Sequence, residues 1–501
     1  MIPCPIKLAA QKHPVRTALI SATQEDSYAQ LNIAVEYYAE YLRNFGIKPA
    51  ERIALVSPPS FDHIALLWAC FRLGIVACLV NNRNPSHLIR ANIQALSCRL
   101  VVSNTRVCVD RTEKMRCLTF KELLRTKKVL EGSRPHTQIH LRGNQPATMI
   151  FSSGSTGQPK IIVHSLANHY TNALGSNEHL PFGPSDCWLL SLPLFHVSGL
   201  GILFRTFLGG GSLFIPGRRE GLETVIQDKA ITHISLVPTQ LFRLLNHPGA
   251  TKRLRKFKVI LVGGGPISPD LVKAAARYKL PVYLSYGLSE MASQVATTER
   301  VKSSDTFPKT KVLPYRELKI NNGHEIMVRG KTLFLGYWQD RKIKRPLTNG
   351  WFKTGDLAEV DRKGWLIIKG RKDRMFKCRG ENVYPEEIER ALNVHSDIRR
   401  AYVLGRHHPE FGQVPVAFVE FKPKAMVGIP ELRSFLAQQL PSYQIPSEYY
   451  RWPKSKESTR LKLQHTFFQQ LLDKNQAHRV TPAVRHAHNG NLQLKLESKF
   501  S

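Results

Sequence analysis

The stretch whose reading decides the fold is SSGSTGQPK, Ser152 to Lys160. Two short apolar runs bound it, Thr148 to Phe151 before and Ile161 to Val163 after. Ser152, Ser153, Ser155 and Thr156 supply hydroxyls, Gly154 and Gly157 let the backbone turn tightly, and Lys160 adds one mobile positive charge. Closely spaced backbone N–H groups, hydroxyl donors and a cation make a cradle for a polyphosphate. The same composition also makes an ordinary Gly/Ser-rich hairpin turn. The rest of the chain has to decide between them.

Spacing excludes the two familiar nucleotide motifs. A Walker loop needs four residues between its first glycine and a Gly-Lys pair, and here Pro159 precedes the lysine. The second glycine cluster, Gly263-Gly264-Gly265-Pro266, lacks the Rossmann spacing. The physics of a phosphate cradle survives both exclusions.

Outward from the loop, short apolar strands alternate with helices. Leu31, Ala34, Tyr38, Tyr41, Leu42 and Phe45 recur at helical spacing, with Gly46 as a stop. Arg52 to Ser57, Ile75 to Val80 and Leu100 to Ser103 read as buried strands. Asp62 to Leu73 reads as a helix between the first two, and Asn84-Pro85 starts another, with proline in the first turn. Residues 106–146 read as a polar, basic surface excursion. Beyond the loop, strands at Trp188, Gly211–Pro216, His233–Val237, Val259–Val262 and Val282–Ser285 alternate with helices at Glu220–Lys229, Thr239–Asn246 and Ser268–Tyr278. This is the pattern of a doubly wound α/β domain.

From about Glu317 the pattern changes to short strands and turns, ELKI, EIMVRG and WLIIKG, a small barrel-like section. A small α+β section follows from about Met375, and the polar, basic end reads as a poorly ordered tail. The expected domains are residues 1–372, a mobile C-terminal domain at 373–473, and the tail at 474–501.

The chain has 501 residues, 42% apolar and 22% charged, which suits globular domains with a large core. The N-terminus lacks an apolar signal region, and Arg72 and Gly74 interrupt the most apolar stretch, Ile64 to Val80. The eight cysteines show no C-x-x-C spacing and no zinc set, which suits reduced core residues in a cytoplasmic protein. The net charge of +34 is spread along the chain without a dense basic tail or aromatic-interleaved basic motif. Specific nucleic-acid binding is therefore not expected, while peripheral association with an anionic membrane stays open.

With these residues laid out, SSGSTGQPK resembles the phosphate loop of the adenylate-forming (acyl-CoA synthetase) superfamily. Four further matches follow in the family's order: LPLFHVSG (Leu192–Gly199), SYGLSE (Ser285–Glu290), WFKTGD (Trp351–Asp356) and GRKDRMFKCRGENVYPEEIE (Gly370–Glu389). The resemblance covers roughly residues 5–472 and implies ATP, Mg²⁺ and coenzyme A as the groups bound. It implies that Glu290 holds the metal, Tyr286 stacks on adenine, and Ser289, where the family usually has threonine, contacts phosphate. Asp356, which the Thr-Gly-Asp text places in a turn between strands, takes the ribose hydroxyls with Arg371 as its companion, and Gly264 and Gly287 complete the nucleotide site. His196 gates the path between acid and thiol, Gly380 lines the pantetheine path, and Asp373 is the hinge.

The family's closing lysine loop is degraded. PKSKESTRLKLQHTFF (Pro453–Phe468) lacks its glycine; Lys462 is the best candidate for the catalytic lysine, with Lys454 and Lys456 as competitors. The reaction implied is activation of a carboxylic acid as its adenylate, then transfer to a thiol. FSSGSTGQPKIIVHSLANHYTNALGSN (Phe151–Asn177), SLVPTQLFRLL (Ser235–Leu245), LVGGGPIS (Leu261–Ser268) and YGLSEMASQV (Tyr286–Val295) extend the general motifs and are most similar to o-succinylbenzoate–CoA ligases of menaquinone synthesis, as is VRGKTLFLGYW (Val328–Trp338). Another aryl- or fatty-acyl-CoA ligase is the alternative within the superfamily, and a non-catalytic polyanion- or membrane-binding relative the alternative outside it.

Overall fold

The computed structural model describes residues 2–104, 115–125, 140–152, 160–217, 220–265, 267, 269–302, 310–360, 366–379, 381–423, 425–453 and 464–480. The chain divides into two compact units, Met1–Asp373 and Arg374–Ser501.

Alternation of side chains along the strands explains the larger unit. In the strand Arg52–Val56, Ile53 and Leu55 join one buried cluster while Ala54 and Val56 join another on the opposite face. A strand apolar on both faces must be covered on both, which is why it sits inside a parallel sheet with helices on either side. This sheet has eight strands, with Pro146–Ser152 and Lys160–Ser165 paired antiparallel beside the parallel strands Val76–Leu79, Arg52–Val56, Leu100–Ser103 and Arg116–Thr119.

A second sheet of nine strands runs Val282–Leu288, Val259–Gly263, His233–Leu236, Cys187–Leu189, Ser212–Phe214 and Thr17–Ile20 in parallel through its centre, with antiparallel strands at its edges. One buried cluster draws on both sheets and on two helices, Phe61–Leu73 and Val197–Gly209. Ser60 caps the first helix by accepting from the His63 N–H, and Gly74 ends it at φ +67°. Its Trp68 lies edge-on to Phe207 at 5.8 Å and tilted on Phe204 at 5.4 Å. A third sheet, Arg316–Ile320, Glu325–Gly330, Phe352–Val360 and Leu366–Arg371, is wholly antiparallel. The fold is the α/β arrangement with a small curled sheet that the sequence indicates.

The smaller unit packs the long hairpin Ile398–His408 and Gly412–Phe421 with Phe376–Cys378, Glu381–Val383 and a parallel Glu448–Arg451, against the helices Pro385–Val394 and Ile429–Ala437.

Four local expectations change. The helix expected over Glu220–Lys229 is one turn, Leu222–Val225; only Leu222, Val225 and Ile226 are apolar, too few to hold a second turn on the core. The described part of 106–146 is built into the fold: Arg116–Thr119 extends the eight-stranded sheet, and the helix Phe120–Arg125 buries Phe120 and Leu123. Pro85 stands just before its helix, at the N-cap of Ser86–Leu96. Of the stretch expected as a tail, residues 474–480 run beside Glu448–Arg451, where the Arg451 N–H donates to His478 O and the Val480 N–H to Tyr449 O; residues 481–501 lie outside the described residues. Cys4, Cys70, Cys78, Cys98, Cys187 and Cys378 are free, and burial pushes the Cys70 thiol up to about 12, a poor nucleophile at neutral pH.

Candidate active site

The strands that flank the loop, Pro146–Ser152 and Lys160–Ser165, pair antiparallel. Ser152 and Lys160 are register partners, and the Ser152 hydroxyl donates to the Lys160 carbonyl at 3.4 Å. Ser153, Gly154, Ser155, Thr156 and Gly157 lie outside the described residues, as do Gly380 and Lys462 with its competitors Lys454 and Lys456.

Two hydrogen-bonded groups gather most of the remaining candidates. In the first, Lys160 Nζ stands 5.1 Å from the centre of the Tyr337 ring, and the Tyr337 hydroxyl donates to Glu290 Oε1 at 2.6 Å. Glu290 lies in a single 3₁₀ turn, Ser289–Met291, directly after the strand Val282–Leu288. Ser289 is fixed through its carbonyl, 2.7 Å from His164 Nε2. Burial holds His164 down to about 4, against the pull of that carbonyl, so the ring is neutral and its one proton serves Ser289.

In the second group the Tyr286 hydroxyl donates to Asp356 Oδ2 at 2.6 Å, and Arg371 Nη1 donates to Asp356 Oδ1 at 3.1 Å. Arg371 also grips Asp373 with Nε and Nη2, each 3.2 Å from a carboxylate oxygen. Asp356 is not in a turn, as the Thr-Gly-Asp text suggests, but inside the strand Phe352–Val360, opposite Arg371 in register. A bulge at Leu357/Ala358 bends the strand just after it. Gly355 makes room for the guanidinium: at φ +75° a Cβ would lie 2.9 Å from Arg371 Nη2. Gly287 is needed for close approach, since a Cβ there would fall 2.1 Å from the Ser293 carbonyl oxygen.

Burial raises the Asp356 carboxyl above the ordinary aspartate value, with Tyr286 and Arg371 pulling it back. Burial also raises the Tyr337 hydroxyl, aided by Glu290, while the Arg371 charge works the other way, which brings the two groups into one electrostatic field. The field therefore holds carboxylates, phenols and cations within reach of each other, with the carboxyl ends of the parallel strands behind them. Gly264 follows the strand Val259–Gly263, whose Gly263 pairs with Ser285, at φ +80° and exposed. His196 stands at the N-cap of the helix Val197–Gly209, exposed, its ring edge-on to Phe195 at 4.8 Å.

Sequence reasoning missed a third feature. Arg205, on that same helix, is 1% exposed and has no carboxylate partner among the described residues. Its Nη1 donates to Gln294 Oε1 at 2.6 Å, its guanidinium lies 4.6 Å from the Trp188 ring, and its Nε has no partner. A second buried cation, Arg316, donates to the Gln294 carbonyl. Burial, with repulsion from Arg316, lowers Arg205 to about 9. Arg205 Nη1, Arg205 Nη2 and Ser293 Oγ converge within 3.4–3.5 Å of the point where Gly201 would carry a Cβ. Nothing in the text VSGLGILFRTFLGG marks this arginine apart from its apolar neighbours, which foretell burial without showing the missing anion.

The comparisons meet this geometry. The model of the AMP-binding enzyme family matches residues 6–338, and that of the AMP-binding enzyme C-terminal domain matches residues 387–461. The chain belongs to the AMP-binding, adenylate-forming enzyme family. Among curated relatives, a 2-succinylbenzoate–CoA ligase of Haemophilus influenzae is 40% identical over 87% of this chain and 90% of its own length. One from Geobacillus kaustophilus is 30% identical over 89% and 93%. Among solved structures, o-succinylbenzoate CoA synthetase from Bacillus subtilis in complex with its acyl-adenylate intermediate superposes with a TM-score of 0.77, at 26% identity over 92% of this chain and 98% of that one. The same enzyme in complex with ATP and magnesium ion gives 0.76 at 27% identity over 92% and 99%. As a member of this family the chain is an AMP-forming acid–thiol ligase. Among the described residues no helix is long and apolar enough to cross a membrane.

Proposed function

We propose that this ligase converts o-succinylbenzoate to o-succinylbenzoyl-CoA, through o-succinylbenzoyl-AMP, in menaquinone synthesis. The observation that carries the reading is Arg205: a buried guanidinium with no anionic partner among the described residues, on the helix that His196 begins, suits an acid with a second carboxylate to bury. The names of the relatives point to the same acid.

A carboxylate is a poor acyl donor because its leaving group would be oxide. Attack of the acid oxygen on the α-phosphorus of ATP releases pyrophosphate and leaves a mixed anhydride, whose AMP departs readily when a thiol attacks the acyl carbon. The protein's task is to bring two anions together in a dry, preorganised site. Ser152, Lys160 and the loop between them hold the phosphates. Asp356, oriented by Tyr286 and Arg371, accepts from both ribose hydroxyls, and Tyr286 and the Gly264 and Gly287 backbone shape the base pocket. Glu290 fits a hard cation, because Oε1 is taken by Tyr337 while Oε2 has no partner among the described residues. Magnesium is held mainly by substrate phosphates with one or two carboxylates, and when bound it would screen the phosphate charge. Lys462 is assigned the lysine that meets acid and α-phosphate; Asp373 is assigned the pivot that exchanges it for the thiol path lined by Gly380, with His196 as the gate.

ATP–pyrophosphate exchange tests the reading. With a panel of acids, o-succinylbenzoate should support exchange and CoA should then yield the thioester with release of AMP. Exchange with benzoate or fatty acids alone would overturn the substrate, and no exchange with any carboxylic acid would overturn the activity. In Lys462→Ala, adenylation should collapse while CoA attack on supplied acyl-AMP is spared; unchanged adenylation would move the role to Lys454 or Lys456.

A further inference from the structure

Glu290 is held twice by one short segment. The Phe334 N–H donates to the Glu290 carbonyl at 2.8 Å, and three residues later the Tyr337 hydroxyl donates to its carboxylate at 2.6 Å. That segment is itself firmly placed. Phe334 is fully buried, and the two rings meet edge to face at 4.9 Å. Tyr337 lies in the strand Gly336–Gln339, paired on one side with Ile162 of the strand that Lys160 begins and on the other with Lys344. The phenol thus links the closing residue of the phosphate loop to the carboxylate at the far end of another sheet.

The charges sharpen this. Lys160 lies over the face of the Tyr337 ring at 5.1 Å, and no Lys160–Glu290 ion pair forms among the described residues. A free glutamate near a free lysine would close on it and neutralise both. The phenol takes one oxygen of the carboxylate and offers its π face to the ammonium, so each keeps its charge for another partner. A phenol has one proton to give; Glu290 Oε1 accepts that hydrogen bond at 2.6 Å, and Oε2 has no partner among the described residues.

We propose that Tyr337 is a positioning residue that orients the Glu290 carboxylate toward a divalent cation and keeps it from pairing with Lys160. The proposal rests on the reading of Glu290 as a metal ligand. Groups that orient a ligating carboxylate through the oxygen it does not use are worth about 10–100-fold in metal affinity.

The test is Tyr337→Phe, which keeps the ring, the packing on Phe334 and the contact with Lys160 and removes only the hydroxyl. Mn²⁺ binding to the enzyme–ATP complex, followed by electron paramagnetic resonance, should weaken about tenfold or more, while ATP binding in EDTA and the KM for the acid stay as in the wild type. The Mg²⁺ concentration for half-maximal pyrophosphate exchange should rise in step. Adding Glu290→Gln to Tyr337→Phe should weaken Mn²⁺ no further than Glu290→Gln alone, the signature of residues acting through one another. If Tyr337→Phe binds Mn²⁺ as the wild type does while Glu290→Gln does not, the positioning role is overturned and the metal reading stands. If Glu290→Gln also binds Mn²⁺ normally, the metal reading falls and the proposal with it.

Discussion

Arg205 in the larger unit and Arg374 in the smaller are both buried guanidinium groups, and they are opposites. Arg374 Nη1 donates to Glu386 at 3.0 Å; its Nη2 donates to Glu389 at 2.6 Å and to the Val403 carbonyl at 3.1 Å; its plane lies 4.4 Å from the Tyr402 ring. Burial pulls its protonation down, and the two carboxylates more than reverse that, raising it above the ordinary arginine value. Arg205 has the aromatic face and one amide oxygen but no carboxylate among the described residues, and burial lowers it to about 9. A cation with its anions built in is a brace. One buried without them carries an uncompensated desolvation penalty, and the fold keeps it only if something else supplies the anion.

The largest effect expected from this contrast is on stability. Arg374→Met should destabilise the C-terminal unit by about 3–5 kcal/mol, because Glu389, 2.6 Å from Nη2, is left buried without that cation. A denaturant titration reporting on that unit would read it. Arg205→Met should do the opposite of its counterpart. Gln294 Oε1 still accepts from the Ser176 hydroxyl at 2.7 Å, so no acceptor is orphaned, and a costly charge is gone. The melting temperature should hold or rise, while the KM for o-succinylbenzoate rises at least about tenfold, the worth of a charge-assisted bond to the second carboxylate. The KM for a monocarboxylate substitute should not move. A melting temperature that falls as far as in Arg374→Met would erase the distinction, and an unchanged KM would send the second carboxylate elsewhere.

The contrast also shows where sequence reading stops. The doubly wound sheets were legible because a strand apolar at every position, such as Val76–Leu79, and a helix capped by Ser60 and closed by Gly74 are local facts. The two strands that end at Ser152 and begin at Lys160 were legible for the same reason. Arg205 sits in equally local text, yet what makes it unusual is an absence: its hydrogen-bonding partner Gln294 is 89 residues away and no acid arrives among the described residues. Tyr337 and Glu290 are 47 residues apart, and a strand tyrosine looks like any core tyrosine until its hydroxyl is followed. Thr-Gly-Asp read as a turn because glycine and aspartate favour turns; pairing with Leu366–Arg371 overrode that preference.

Arg371 supplies the intermediate case and the smallest effect. Three residues before Arg374, it also bridges two carboxylates, Asp356 and Asp373, but its side chain is 38% exposed and that of Asp373 46%. Water screens such pairs to about 0–1 kcal/mol, so Arg371→Lys should leave the melting temperature nearly unchanged. The guanidinium's geometry is what the site loses. Lysine keeps the charge but cannot donate to Asp356 and Asp373 from one rigid plane. Asp356 is already raised by burial, and Arg371 is one of the groups that lower it; with that hydrogen bond gone its carboxyl should rise further. The ribose hydroxyls need it ionised as an acceptor. AMP affinity, measured by calorimetry from pH 7.5 downward, should therefore begin to fall at a higher pH in Arg371→Lys than in the wild type, with only a few-fold loss at neutral pH. A superimposable pH profile would show that Arg371, like Arg374, serves only as a brace, and that exposure rather than function separates these two neighbouring arginines.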